Sequence, residues 1–444
     1  MDPATLTALD HRHLWHPFTQ QQEWTALGEP LIVASAEGNR LIDVHGRQYL
    51  DAVSSLWTTV HGHRHPDLDR ALREQLERVA HTTLLGLSHP GAILLAAELV
   101  RRAPAGLARV FYSDDGSTAV EIALKMAFQY HQNVGDTGRI RFASLRDAYH
   151  GDTIGAVSVG SIDLFHAVYR PLLFGGVALP APVEAGGDEE AGCLAEGLAL
   201  LDRHGHELAA LVVEPLVQGA AGMKHHSPAF LRALLERARE RGVLVVADEV
   251  AVGFGRLGTM FAMEQVGVAP DLLCLAKGLA AGYLPLAATL TTERVYEAFL
   301  ADPAAYRQLF HGHTFTGNPL ACAVALESLK VFDRDDVLGR VAALERVFAE
   351  ALAPVRRSPF VQAVRHKGVM IGIDVGRPDG SRFPPEARVG HRVAMATRPR
   401  GVVVRPLGDT VVVNPPLSFG DDDARVTIRA VAEAIDEVGS QQLA

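Results

Sequence analysis

Gly242-Val243-Leu244-Val245-Val246-Ala247-Asp248-Glu249 opens, and Leu272-Leu273-Cys274-Leu275-Ala276-Lys277-Gly278 closes, the stretch around which the rest of the chain is organised. Both apolar runs are short, aliphatic and bounded by glycine or proline. They read as strands buried on both faces, as in a parallel sheet covered by helices. In such sheets ligands lie just beyond the carboxyl ends of the strands, and Asp248 and Lys277 each fall at that position. A charged residue after a strand is usually only the first solvated loop residue, so this pair gains meaning from what the remaining chain adds.

The 444 residues suffice for one large domain and a smaller one. A hydrophobic content of 48% and a charged content of 21% are ordinary for a globular protein. No apolar run is long enough to cross a bilayer, and residues 1–20 lack the basic start and apolar middle of a signal peptide, so a cytoplasmic location without membrane contact is expected. A formal net charge of −10 argues against nucleic-acid binding, whose footprint would be basic. The cysteines, Cys193, Cys274 and Cys322, are far apart and suit a reducing compartment. His61-Gly62-His63-Arg64-His65 and His311-Gly312-His313 look like ligand pairs, but lack the spacing and cysteine partners of a zinc site; no metal is expected.

Outward from the central stretch, residues 1–60 hold His13-Leu14-Trp15-His16-Pro17-Phe18-Thr19 and strand-like pieces at 31–33, 40–44 and 48–51, a small antiparallel sheet too short to stand alone. Helices are expected over 67–80 and 90–102, then a strand at 108–112 and a helix over 119–131. Strands and helices then alternate to about residue 330, with strands at 141–143, 211–214, 243–248, 272–276 and 286–290, the order of a mostly parallel α/β sheet. Residues 335–444 read as a smaller α+β unit with strands at 368–374, 402–405 and 411–413. The expected division is therefore 1–60, packing with the small domain, 61–334 as the large domain, and 335–444 as the small one.

Between the strand at 108–112 and its helix lies Ser113-Asp114-Asp115-Gly116-Ser117-Thr118. Unpaired N–H groups and the helix dipole at such a start favour a phosphate, with Gly116 allowing close approach and Ser117 adding a donor; Ser117 serves equally well as a simple N-cap. Gly253-Phe254-Gly255-Arg256-Leu257-Gly258 fits a dinucleotide fingerprint literally, but no long helix opens at its third glycine, which argues against that reading. A carboxylate and an amine presented from two strand ends are what a pyridoxal phosphate site needs, the first to keep the ring nitrogen protonated and the second to form the Schiff base. An aromatic ring in Ala148-Tyr149-His150-Gly151-Asp152-Thr153 could stack on a flat cofactor.

Together with Glu214-Pro215, Asp248 to Arg256, Lys277-Gly278 and Thr314-Phe315-Thr316-Gly317-Asn318-Pro319, these motifs resemble, in order and over nearly the full chain, the fold-type-I class III aminotransferases. The resemblance implies a large mostly parallel α/β domain plus a smaller α+β domain built from both termini, a pyridoxal phosphate ping-pong reaction on small-molecule substrates, and a homodimer with active sites at the subunit interface. Lys277 would be the Schiff-base lysine and proton carrier, Asp248 would pair with the ring nitrogen, and Tyr149 and Val250 would cover the ring's two faces. Gly116 and Ser117 would hold the phosphate with Thr314 of a second subunit, and His150 and Glu214 complete the cofactor set. The substrate set would be Phe18, Leu56, Trp57, Tyr149, Lys277, Gly312 and Arg405. Arg405 suits a carboxylate because its planar guanidinium offers two hydrogen bonds.

Within class III the finer resemblance is to the biotin-pathway branch that aminates 8-amino-7-oxononanoate. It rests on residues 13–18, Ser54-Ser55-Leu56-Trp57 with His61-Gly62-His63, the Tyr149 motif, Val217-Gln218-Gly219-Ala220 and Arg405-Pro406-Leu407-Gly408-Asp409. Phe18 and Leu56 stand where enzymes using S-adenosylmethionine as donor usually carry Tyr and Trp, and with residues 153–161 and 282–285 they look more like a branch that uses lysine. An ω-amino acid transaminase working with pyruvate or 2-oxoglutarate is the alternative.

Overall fold

The computed structural model describes residues 2–443. Its centre is a seven-stranded sheet in the spatial order Leu107–Ser113, Ala287–Thr292, Leu272–Leu275, Leu244–Asp248, Leu208–Val213, Arg141–Leu145 and Val177–Leu179. All run parallel except Ala287–Thr292, which pairs antiparallel with both neighbours. Every residue of Leu208–Val213, Leu244–Asp248 and Leu272–Leu275 is buried, which is why these strands read as unbroken apolar runs. Helices such as Gly116–Asn133 and Pro228–Glu240 cover the sheet with apolar faces.

Two four-stranded sheets, one mixed and one antiparallel, flank this body. Val33–Glu37, Arg40–Asp43 and Gln48–Asp51 form an N-terminal meander. Its fourth strand, Val402–Val403, comes from the far end of the chain and pairs parallel with Gln48–Asp51. The other sheet runs Val361–Lys367, Met370–Val375, Thr410–Val413, Arg405–Leu407.

The expected strand at 402–405 is thus two strands in two sheets. Gly401, with φ 73°, admits the first, and Gly408, with φ 59°, turns the second back onto Thr410–Val413. The strand Val361–Lys367 escapes a sequence reading because polar Gln362, Arg365, His366 and Lys367 interrupt its alternation. The helix expected over 67–80 spans Pro66–Leu76, and the first strand lies at Val33–Glu37 rather than 31–33, a half-polar edge without the apolar signal of the core.

Among the described residues no helix is long and apolar enough to cross a membrane, and no group of three or more His, Cys, Asp and Glu is placed to hold a metal ion. The paired histidines are engaged otherwise. His61 bonds Ser328 Oγ at 3.0 Å, His63 bonds Asp51 at 2.9 Å, and His311 and His313 lie 3.1 Å from one another. The glycine-rich segment 253–258 leads only into the four-residue helix Met263–Val266, and Asp271 accepts a hydrogen bond from Val245 N and pairs with Arg294, so neither serves a dinucleotide site.

Candidate active site

The carboxyl ends of the parallel strands open on one edge of the central sheet. Ala247 lies opposite Val213 and Asp248 opposite Cys274, so Glu214, Asp248 and Lys277 follow one another across three adjacent strand ends. The loop after Arg141–Leu145 adds Tyr149 and His150, and the helix after Leu107–Ser113 adds Gly116 and Ser117. These residues, with Trp57 and Val250, line a cavity of about 330 Å³.

His150 and Asp248 form a buried pair, Nδ1 to Oδ2 at 2.7 Å, while the other carboxylate oxygen accepts from Val250 N at 3.0 Å. Burial works against a charge on His150, but the Asp248 carboxylate outweighs it and raises the imidazole's pKa. Burial pulls the Lys277 pKa down from 10.5 to about 8, with Asp248 and Glu214 limiting the fall. The Glu214 carboxyl is pushed up to about 7 by burial, and accepts hydrogen bonds from Tyr149 N and Gly219 N at 3.2 and 2.9 Å. Tyr149 donates its hydroxyl to Asp152 at 2.8 Å; burial, then that bond, raises its pKa. Lys277 Nζ stands 4.6 Å from the centroid of the Trp57 ring.

At the helix start, Asp115 caps the Thr118 N–H and Ser117 Oγ accepts from Asp152 N at 3.1 Å. Ser117 is therefore not the N-cap; that role belongs to Asp115. A Cβ on Gly116 would come within 2.5 Å of Val250, and one on Gly151, whose φ is 121°, would collide with Ser117, so both glycines keep a cradle open. A cradle at a helix N-terminus, a carboxylate at a strand end and a buried amine of lowered pKa are the donor set that pyridoxal phosphate requires, and the residues present fit it.

Not all expected site residues meet here. Arg405 is half-buried, close enough to Tyr149 and Lys277 to act on both their charges, and its guanidinium carbon lies 5.9 Å from the Phe18 ring centroid. Phe18 and Leu56 are exposed at 58% and 46%, outside the cavity wall. Gly312 lines a separate cavity of about 330 Å³ with Leu84, Leu85, Ile93 and Phe111, and Thr314 is exposed; this chain brings neither to Lys277. Two neighbours were missed from sequence. Asp152 lay in the Tyr149 motif and could have been found there, whereas Phe165, edge-on to Phe18 at 5.4 Å, carries no local signal.

One further feature is Ser54–Trp57, a helical turn in which all four residues have positive φ (44°, 46°, 72° and 69°) without a glycine. Left-handed geometry costs about 1–2 kcal/mol for each ordinary residue. Strain of this kind gathers at functional sites.

A doubly wound sheet whose strand ends present a buried lysine and a buried carboxylate beside an open cradle at a helix start fits a pyridoxal phosphate enzyme of fold type I. The chain matches the family model of the class III aminotransferases over residues 24–435 and belongs to that family. It is 54% identical over 443 residues, 97% of this chain and 82% of the relative, to the adenosylmethionine-8-amino-7-oxononanoate aminotransferase of Nitratidesulfovibrio vulgaris. The crystal structure of the enzyme of that name from Methanocaldococcus jannaschii superposes with a TM-score of 0.94 at 40% identity, covering 98% of this chain and 99% of that one. A PLP-bound amine transaminase from an uncultivated Pseudomonas species gives a TM-score of 0.89 at 35% identity, covering 96% and 99%. The protein is a pyridoxal phosphate-dependent transaminase.

The depressed Lys277 pKa has a measurable consequence. Uptake of pyridoxal phosphate by the cofactor-free protein is expected to quicken as pH rises through about 8 and then level off, because only the neutral amine is a nucleophile. Stopped-flow absorbance would follow it. A rate still climbing toward the ordinary lysine value of 10.5 would mean that burial does not tune this amine.

Proposed function

We propose that the enzyme transfers an amino group from S-adenosylmethionine to the ketone of 8-amino-7-oxononanoate, giving the 7,8-diamine of the biotin pathway. What carries the reading is full-length similarity to relatives named for these two substrates, joined to a site whose groups match the chemistry. Pyridoxal phosphate, when bound, supplies the carbonyl that takes up the amino group and the ring that accepts electrons. Lys277 holds and returns the migrating proton at Nζ, which a pKa near 8 allows close to neutral pH. Asp248, steadied by His150, presents a carboxylate to the ring nitrogen. Tyr149 and Val250 are placed for the two ring faces, and the Gly116–Ser117 helix start for the phosphate, with Glu214 fixing the Tyr149 backbone. Trp57 closes one wall of the cavity and helps exclude water.

Arg405 is assigned to the substrate carboxylate. Arg405→Ala is expected to raise KM for 8-amino-7-oxononanoate by roughly 10- to 100-fold, the worth of a charge-assisted pair, with a smaller change in kcat. Steady-state kinetics decide it, and an unchanged KM moves the role to another residue.

A second donor, lysine, is favoured by one observation. Phe18 has no hydroxyl and Leu56 no aromatic ring, so these two positions lack groups suited to an adenine and a sulfonium. The donor half-reaction tests both. Bleaching of the cofactor's yellow band by S-adenosylmethionine supports the main reading, and bleaching by lysine alone replaces the donor. Turnover of β-alanine or 4-aminobutyrate with none of 8-amino-7-oxononanoate would favour the ω-amino acid alternative.

The enzyme is assigned to the cytoplasm, in keeping with three free cysteines. It is assigned as a homodimer in which Thr314 and Gly312 reach the partner's site. The exposed apolar residues Leu85, Ile93, Phe310 and Phe315 around these two positions support that assembly. The division at residues 60 and 334 is part of the same reading.

A further inference from the structure

The strained turn Ser54–Trp57 is gripped from two sides. On one, the fully buried Asp51 carboxylate accepts from Ser55 N at 3.0 Å and Ser55 Oγ at 2.8 Å, and also bonds His63 Nε2 at 2.9 Å. On the other, Arg256, 1% exposed, donates from Nη2 to Ser54 Oγ, Trp57 O and Thr59 O at 3.0, 3.1 and 3.3 Å. Its Nη1 donates to Asn414 Oδ1 at 3.2 Å and to Pro415 O. Among the described residues no carboxylate pairs directly with this guanidinium, so its buried charge goes to holding neutral oxygens of the turn and of residues 414–415.

The turn's product is the placement of one ring. Trp57 is wedged where a Cβ on Gly219 would approach it to 2.9 Å, and it lies across Lys277 Nζ. Its indole Nε1 is buried without a hydrogen-bond partner among the described residues, although the ring lines the cavity. A right-handed or extended segment would carry the ring elsewhere, because reversing the sign of φ redirects the side chains.

We propose that Asp51, with Arg256 opposite, is a positioning residue that clamps Ser54–Trp57 in its left-handed form, so that Trp57 lies across Lys277 and sets how tightly the pocket takes its amino substrates. The kinetic part rests on the transaminase reading; the placement of Trp57 does not, so the two can fail separately.

The test uses the full chain with Trp15→Phe and Trp24→Phe, which leaves Trp57 as the sole tryptophan. In this background Asp51→Asn and the milder Ser55→Ala are expected to move the emission of the cofactor-free protein to longer wavelength. In the holoenzyme, KM for the amino donor should rise roughly tenfold, about the worth of one hydrogen bond to a charge, with kcat changed far less. Ser55→Gly loses the same hydroxyl as Ser55→Ala but accepts positive φ freely, so it should lie closer to the parent than Ser55→Ala, whereas Ser55→Val, which resists positive φ, should behave like Asp51→Asn. Unchanged emission and KM in both Asp51→Asn and Ser55→Val, with only a lower Tm, would overturn the proposal and leave these residues a purely structural role. Should Asp51→Asn fail to fold, the comparison of Ser55→Gly with Ser55→Val decides alone.

Discussion

Lys277→Ala is expected to lose amino transfer by at least about 10⁴-fold, the upper range for a positioned acid–base group, because the cavity holds no other amine at that strand end. The remaining site should persist. Asp248, His150, Glu214 and the Gly116–Ser117 cradle are held by hydrogen bonds that do not involve Lys277. The variant should therefore still take up pyridoxal phosphate, without the covalent link, and keep its Tm within a few degrees. Single-turnover absorbance and calorimetry are the measurements. Residual transfer within a hundredfold of the parent would remove Lys277 from the proton path.

Asp248→Asn should cost about 10²–10³ in kcat, comparable to removing one preorganised electrostatic partner, with the fold intact. The amide is nearly isosteric but carries no charge to keep a ring nitrogen protonated. A second signature accompanies it. His150 in the parent has a pKa above its ordinary 6.5 because of the carboxylate, so the stability it contributes is complete below pH 6.5 and is lost as pH rises through the higher folded value. Without the charge, burial is opposed only by the Glu214 carboxylate, and that decline of stability with pH should weaken or disappear in the melting curves. Normal activity in the variant would mean that the strand-end carboxylate does not face the cofactor.

Much of this site was legible in the chain because its logic is local. Asp248 and Lys277 end continuous apolar runs, and burial on both faces leaves a signature that composition alone reveals. Gly116-Ser117 follows a strand and opens a helix, again a local pattern, although the sequence could not tell that Asp115 and not Ser117 caps it. The residues that stayed hidden depend on partners distant in sequence. Arg256 gathers oxygens from Ser54, Trp57, Thr59, Asn414 and Pro415. The left-handed turn contains no glycine to announce it, and Phe165 meets Phe18 only in three dimensions. The split of Val402–Val403 from Arg405–Leu407 is similarly set by two different sheets competing for one stretch of backbone.

That split also imposes a timetable on the newborn chain. Gln48–Asp51 leaves the ribosome ahead of its parallel neighbour Val402–Val403, which emerges about 350 residues later, a delay of roughly 20–70 s at ordinary synthesis rates. Asn414, whose carbonyl accepts from Ser54 Oγ, comes later still. The meander Val33–Asp51 therefore waits with an open edge until Val402–Val403 emerges, and the tryptophan wall of the pocket is completed only when Asn414 follows. Chains cut short before residue 402 lack that closing strand entirely and leave the edge of Gln48–Asp51 open to other strands.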